Sequence, residues 1–204
     1  LETIKSEMPG GGEKRPGQLT MTLTVDEAIN AQEHLLIEAG TGTGKTLAYL
    51  LPFALDEKRV VVATYTKALQ DQMIEKDLPQ IKKYIETTYE RSFKFSQLKG
   101  WSNYLCLERL DVVKKSIPAG RFEGFFEESN TDELQKIIEW SEVTETGDRG
   151  DLTFSVEESS WEGVSVNSKE CLGKEDCPFY DSCFAVKARK QSQEADVLVT
   201  NHSL

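Results

Sequence analysis

In the first third of the chain, compact apolar runs alternate with stretches in which apolar positions recur every three or four residues. "HLLIEA" at 34–39 is a short apolar run and predicts a strand. "GKTLAYLLPFAL" at 44–55 opens a helix, and Pro52 marks its last turn or a kink, because proline lacks the N–H the helical ladder needs. "RVVVATYT" at 59–66 predicts a second buried strand, rich in Val as parallel strands are. In "KALQDQMIEKDL" at 67–78, apolar residues at 69, 73, 74 and 78 keep helical spacing. "SFKFSQL" at 92–98 predicts a third strand. Strands alternating with helices imply a parallel α/β sheet.

From Cys106 the pattern loosens. "TDELQKIIEWSE" at 131–142 predicts a short helix with Thr131 as its N-cap, and "GDRGDLTFS" at 147–155 is a turn-rich connection. "FAVKARKQSQEA" at 184–195 predicts a helix, and "DVLVTNHSL" at 196–204 returns to a buried strand. A cysteine-bearing module over about 95–190 therefore interrupts the sheet.

The net charge of −11 argues at first against a nucleic-acid partner, but it is unevenly placed. Between Glu123 and Glu162 there are thirteen acidic residues against Lys136 and Arg149, and the rest of the chain is balanced. That segment reads as a solvated surface excursion and says little about the other faces. No stretch approaches eighteen apolar residues, and "LETIKSEMPGGGEKRPGQ" has no apolar run of the kind a secretory signal needs. These features predict a cytoplasmic protein that does not span a membrane.

"EAGTGTGKT", Glu38 to Thr46, lies between a predicted strand and a predicted helix, the context a phosphate-binding loop requires. Gly40, Gly42 and Gly44 remove Cβ atoms that would keep backbone N–H groups from phosphate oxygens, and Thr41 and Thr43 complete the loop between them. Lys45 can reach the β- and γ-phosphates of ATP, and the Thr46 hydroxyl can ligate Mg²⁺. The strict pattern places Gly where this chain has Ala39, whose small side chain still permits the turn.

Four cysteines are spaced C-x₆₄-C-x₅-C-x₅-C: Cys106, Cys171, Cys177 and Cys183. Zinc sites pair cysteines as C-x₂₋₄-C knuckles, and none occurs here. Four thiolates also suit an iron–sulfur cluster. Spacing alone leaves cluster, zinc and free thiols open.

"RPGQ" (15–18), "EAGTGTGKT", "TYTKALQDQM" (64–73), "LKGWSNYLC" (98–106), the three late cysteines and "ADVLVTNHSL" (195–204) stand in one order. In that order they resemble the DinG/XPD family, superfamily-two DNA helicases with an iron–sulfur domain inserted in the first motor domain. The resemblance implies a P-loop NTPase (RecA-like) α/β fold, a parallel sheet with helices, interrupted by a mostly helical cysteine-bearing insertion. It divides the chain into 1–94 as the first part of motor domain 1, 95–190 as the iron–sulfur insertion, and 191–204 as a return strand.

The same resemblance assigns roles. Gln18 is placed to hydrogen-bond the adenine edge of ATP. Cys106, in an "NYLC" context, joins Cys171, Cys177 (followed by Pro178) and Cys183 as ligands of a [4Fe–4S] cluster. That cage then staples an acidic, weakly apolar insertion with little surface of its own to bury. Thr64, Thr66 and Gln70 contact the backbone of single-stranded DNA, and Lys99, Asn103 and Tyr104 meet DNA by charge, amide and stacking. Trp101 stands where the family often has a basic residue, which leaves stacking or packing there.

The Asp-Glu pairs at 26–27, 56–57 and 132–133 all lack a His two positions later, so the water-activating Asp-Glu-x-His motif is expected outside these residues, as is a second motor domain. The chain thus reads as the N-terminal part of a monomeric, ATP-dependent helicase. It would act on single-stranded and forked or overhang duplex DNA, in DNA repair. The alternative class is a metal-stapled ATP-binding regulatory module.

Overall fold

Three parallel strands, β1 (Val60–Thr64), β2 (Phe95–Gln97) and β3 (Val197–Asn201), form a sheet in the order β1-β3-β2. The computed structural model describes residues 16–40, 42, 44–116 and 128–202. The central strand is the last in sequence: Val197 is in register with both Val60 and Phe95. A central parallel strand is covered on both faces, so it must be apolar, and Val197 and Val199 are fully buried. β2 and β3 are neighbours although Leu98–Gln191 lies between them in sequence, and those residues form a compact unit of their own.

The first unit holds residues up to Gln97 together with Ser192–His202. Its helices are α1 (Pro16–Ala31), α2 (Lys45–Leu55), α3 (Lys67–Gln72) and α4 (Leu78–Tyr89), with a π-helical turn at Met73–Asp77 joining the last two. Leu50 from α2, Met73 from the π turn, Ile81 and Ile85 from α4, and Val197 and Val199 from β3 share one core. Pro52 lies inside α2, and its carbonyl accepts the Asp56 N–H that closes the helix. Asp196 ties the strand starts together. Its carboxylate accepts the Lys94 N–H at 2.8 Å, and its N–H donates to the Lys94 carbonyl at 2.8 Å.

Two strand expectations need correction. "HLLIEA" is not a strand: residues 33–40 have no regular structure, and Leu36 is 98% exposed. A strand exists only through its ladder, and among the described residues no neighbour pairs with this run. β1 is a strand but not a buried one. It pairs on one side among the described residues, its burial alternates along its length, and Val61 is 65% exposed.

The second unit, Leu98–Gln191, is helical. Its elements are α5 (Leu107–Ser116), α6 (Glu128–Ser141), α7 (Glu158–Val164), α8 (Gly173–Asp176) and α9 (Phe184–Glu194), the last running into the first unit's segment. α6 starts three residues before Thr131, which is therefore inside the helix and not its N-cap. The acidic stretch is more than a solvated excursion. Leu134, Ile137, Trp161 and Val164 are all buried to within 1% and form a core with Leu105 and Leu110. Trp161 anchors it: the indole Nε1 donates to the Ser102 carbonyl at 2.7 Å, Trp140 meets the ring edge-on, and the Arg149 guanidinium lies over it. Asp132 and Glu139 on α6 and Glu158 and Glu162 on α7 are exposed, while the apolar residues among them face inward.

Candidate functional site

The phosphate loop runs straight into α2. Gly42 and Gly44 are both left-handed, at φ 73° and 75°, and Gly44 stands at the N-cap. Residues bearing Cβ rarely adopt that backbone. At Gly44 the demand is double, because a Cβ there would lie 2.4 Å from the Gln18 Nε2. Thr41 and Thr43 lie outside the described residues. Lys45 opens the helix, and its ammonium donates back to the loop carbonyls of Ala39 at 2.7 Å and Gly40 at 2.9 Å. The cation is thus held over the loop, beside the N-terminal N–H groups of α2, where an anion is favoured twice over.

Gln18, on α1, is 3% exposed and binds the loop directly: its Nε2 donates to the Gly44 carbonyl at 2.8 Å. Its Oε1 is buried with no partner among the described residues. Thr46 is buried one residue into α2. Beneath it lies Asp77, a buried acid that hydrophobic periodicity alone does not single out. Burial raises the Asp77 pKa, while the hydrogen bond from the Gln72 amide and the nearby Lys76 charge oppose that shift.

The residues expected at DNA divide by exposure. Thr64 ends β1, is buried, and donates its hydroxyl to the Thr66 carbonyl at 3.3 Å. Thr66 is exposed and caps α3, accepting the Leu69 N–H at 3.3 Å. Gln70 is buried, with its Oε1 accepting from the Gln97 amide. Lys99 is 9% exposed, and its ammonium is paired with Asp148 at 2.5 Å. Tyr104 is 5% exposed, with its hydroxyl taken by the Lys99 N–H at 3.1 Å. Asn103 is half-buried, and its amide donates to the Gly100 carbonyl. Thr66 is therefore exposed and Asn103 half-exposed, whereas Thr64, Gln70, Lys99 and Tyr104 are buried within their own units.

Cys106, Cys171, Cys177 and Cys183 are all free thiols and line one cavity with Trp101, Phe179 and Leu172. Three sit at helix ends: Cys106 immediately before α5, Cys177 at the C-cap of α8, and Cys183 immediately before α9. Burial pushes the Cys106 thiol up, while the N–H groups of Arg109 and Glu108 at the start of α5 pull it down. Arg189, one and a half turns into α9, stacks 3.9 Å from the Trp101 ring. Burial lowers its pKa, while Tyr104, Cys183 and Cys171 act to raise it. Among the described residues, no three His, Cys, Asp or Glu side chains converge on one point where a single metal ion would sit. Sequence reasoning missed Arg189 and Asp148; Arg189 lies in the basic run Lys187-Ala188-Arg189-Lys190, which gave no signal to single it out.

A parallel sheet, a left-handed glycine loop and a Lys-Thr pair at the start of the following helix together define a P-loop NTPase. Residues 21–137, more than half of the chain, match the DEAD/DEAH box helicase family, and the chain belongs to it. It is 41% identical over 211 residues to an "ATP-dependent helicase DinG" of Mycobacterium tuberculosis (strain ATCC 25618 / H37Rv), covering 95% of this chain and 31% of that protein. It is 41% identical over 202 residues to the "ATP-dependent DNA helicase YoaA" of Escherichia coli (strain K12), covering 98% of this chain and 30% of the relative. A "3'-5' exonuclease DinG" of Bacillus subtilis (strain 168) is 32% identical over 214 residues, covering all of this chain and 21% of the relative. The chain thus spans under a third of the length of these curated relatives. Among the described residues, no helix is long and apolar enough to cross a membrane.

Proposed function

We propose that this chain is the N-terminal part of an ATP-dependent DNA helicase of the DinG type, which couples ATP hydrolysis to movement along single-stranded DNA and to duplex unwinding. The observation that carries the reading is the loop itself: Gly42 and Gly44 are left-handed, and the Lys45 ammonium is held against the loop carbonyls of Ala39 and Gly40. Mg²⁺–ATP is the ligand. The phosphates take the place of the loop carbonyls on the Lys45 ammonium. The orphaned Gln18 Oε1 is the acceptor an adenine amino group needs, while Gln18 Nε2 keeps the loop attached. Thr46 supplies a hydroxyl to the metal.

DNA contact is assigned first to Thr66 and Asn103, the members of the expected set that are not buried. Thr64, Gln70, Lys99 and Tyr104 shape the surface from behind. Three features of the four thiols support a [4Fe–4S] cluster. They are free, they share a cavity with apolar walls, and helix-terminal N–H groups serve the sulfur of Cys106. The domain reading that follows is a motor domain over 1–94 and 191–204 with an iron–sulfur insertion over 95–190, in a cytoplasmic, monomeric repair enzyme.

The test is made on the full-length protein. ATP turnover stimulated by single-stranded DNA, lost in Lys45→Ala, is the expected result. Affinity for single strands should exceed that for duplex and fall linearly on logarithmic axes with salt, because backbone contacts release counterions. Equal binding to duplex and single strand, with no stimulation, would favour the regulatory-module class. Anaerobic protein should carry about four irons and four sulfides for its four cysteines, and stoichiometric zinc would overturn the cluster.

A further inference from the structure

Of the basic residues Lys187, Arg189 and Lys190 on α9, the two lysines are exposed and Arg189 is half-buried. It is held by a ring and by a carbonyl. Its guanidinium lies 3.9 Å from the centre of the Trp101 ring, and its Nη1 donates to the Ala185 carbonyl at 3.0 Å. That bond turns the side chain back toward the start of the helix, as long helical side chains prefer. α9 follows directly on Cys183, whose carbonyl accepts the Lys187 N–H at 2.9 Å. The Ala185 carbonyl is therefore about 3 Å further along the helix axis than a thiol-bearing residue.

Trp101 and Ala185 both line the cavity of the four cysteines. The guanidinium is thus fastened to two parts of one cavity wall. The charge of that wall is one-sided. Glu108 and Glu170 line it too, and among its described residues none is Lys or Arg. A thiol binds metal as the thiolate, so loading the site adds to the negative charge. The function proposed above uses the four sulfurs and gives Arg189 no role.

We propose that Arg189 is the counter-charge of the cysteine cavity: its guanidinium, seated on Trp101 and tied to the Ala185 carbonyl, offsets the negative charge of the thiolates and raises the reduction potential of the cluster they hold. The inference rests on the cluster reading above and adds a tuning residue to it. Four thiolates outweigh the charge of an iron–sulfur core, and an added electron makes the whole more negative still. A fixed cation beside it favours the reduced form, and net charge is one of the factors that set such a potential. Arg189 makes and breaks no bond and takes up no electron. It acts through its field alone.

The test is a redox titration of the anaerobic full-length protein with dithionite as the electron donor, following the reduced cluster by electron paramagnetic resonance. Arg189→Gln removes the charge and keeps a planar polar group against the ring. At a fixed potential its ratio of reduced to oxidised cluster should fall about tenfold, which is about 59 mV of midpoint for one electron. Arg189→Lys keeps the charge, and its midpoint should stay near that of the parent. An unchanged midpoint in Arg189→Gln overturns the proposal. So does an equal drop in both variants, which would make the stacked plane and not the charge the source. Arg189→Met, whose thioether packs well on an aromatic ring, takes over if the glutamine variant does not retain iron, and the same drop is expected. Loss of iron from both neutral variants with retention in Arg189→Lys supports the charge, whereas loss from all three marks a merely structural role and overturns it. Zinc without iron or sulfide in the anaerobic parent removes the cluster reading, and this inference goes with it. An iron–sulfur cluster whose midpoint ignores Arg189 removes only the counter-charge.

Discussion

The sheet unit and the cysteine unit are held by different means. In the first, long-range strand pairing and one apolar core join residues from both ends of the chain, and Val197 pairs with Val60 and Phe95 at once. In the second, a small helical core round Trp161 holds α5, α6 and α7. The segment bearing three of the four cysteines contributes little to that core. α8 and the 3₁₀ turn Tyr180–Ser182 have no buried residue, and Leu172 is 49% exposed. Where a chain buries little apolar surface, it needs another source of order. The sheet unit can keep a loop in a specific shape through packing alone. The 171–183 segment buries little, and the proposed cluster would supply its tie.

The sharpest break in that comparison is chemical. Lys45→Ala should reduce ATP turnover of the full-length protein to background while leaving its circular dichroism and melting temperature near those of the parent, because the ammonium contacts only loop carbonyls. Parental turnover in a folded variant would remove the phosphate-loop assignment. Next comes Cys177→Ser. On the proposed cluster it should bleach the anaerobic protein and open residues 167–183 to protease, since one iron would lose its anchor. The Trp161 core should resist, because its burial does not depend on the thiols. Limited proteolysis with mass spectrometry decides: cleavage spread evenly over 107–190 would mean that the cage, and not the core, orders the unit.

That contrast also explains what the sequence could and could not say. The loop, its helix and the late strand were legible because Gly-rich spacing and runs such as "VLV" are local signals. The four cysteines, which line one cavity, stood out as a set, though spacing alone left cluster, zinc and free thiols open. "HLLIEA" failed because pairing is not a local property: Leu35, Leu36 and Ile37 are apolar enough for a strand, but a strand needs a ladder. β1 failed in part for the same reason. The core of the second unit was hidden by charge. Thirteen acidic residues drew attention away from Leu134, Ile137 and Trp161, whose spacing on α6 and α7 is what a buried face requires. Lys99 and Tyr104 carried the chemistry of a DNA surface, and nothing in their order in the chain revealed Asp148 beside the one or burial of the other.

A smaller effect sharpens the comparison. Ile81 and Ile137 are both fully buried, one in each core. Truncating either to Ala should cost about 2–5 kcal/mol through lost burial and an unfilled cavity. Hydrogen exchange should locate the loss: Ile81→Ala lowers protection in β1, β3 and α4, and Ile137→Ala lowers it in α6 and α7. Equal loss in both units from either change would show that they unfold as one body.

The smallest effect separates two jobs held by one hydroxyl. Thr66 caps α3 through its bond from the Leu69 N–H, and it is also the outward-facing candidate for a DNA phosphate. Thr66→Ala loses both jobs, so it should cost about 1 kcal/mol of stability and weaken binding of single-stranded DNA together. Thr66→Asp separates them. An aspartate caps a helix at least as well as threonine, so the melting temperature should return to the parental value. Its carboxylate would face a phosphate, so affinity for single-stranded DNA should fall below that of the Ala variant, and most steeply at low salt, where like charges are least screened. Binding by fluorescence anisotropy at two salt concentrations reads the difference. If Thr66→Asp restores stability and DNA affinity alike, Thr66 is a cap and nothing more, and the DNA surface of the sheet unit must be sought elsewhere.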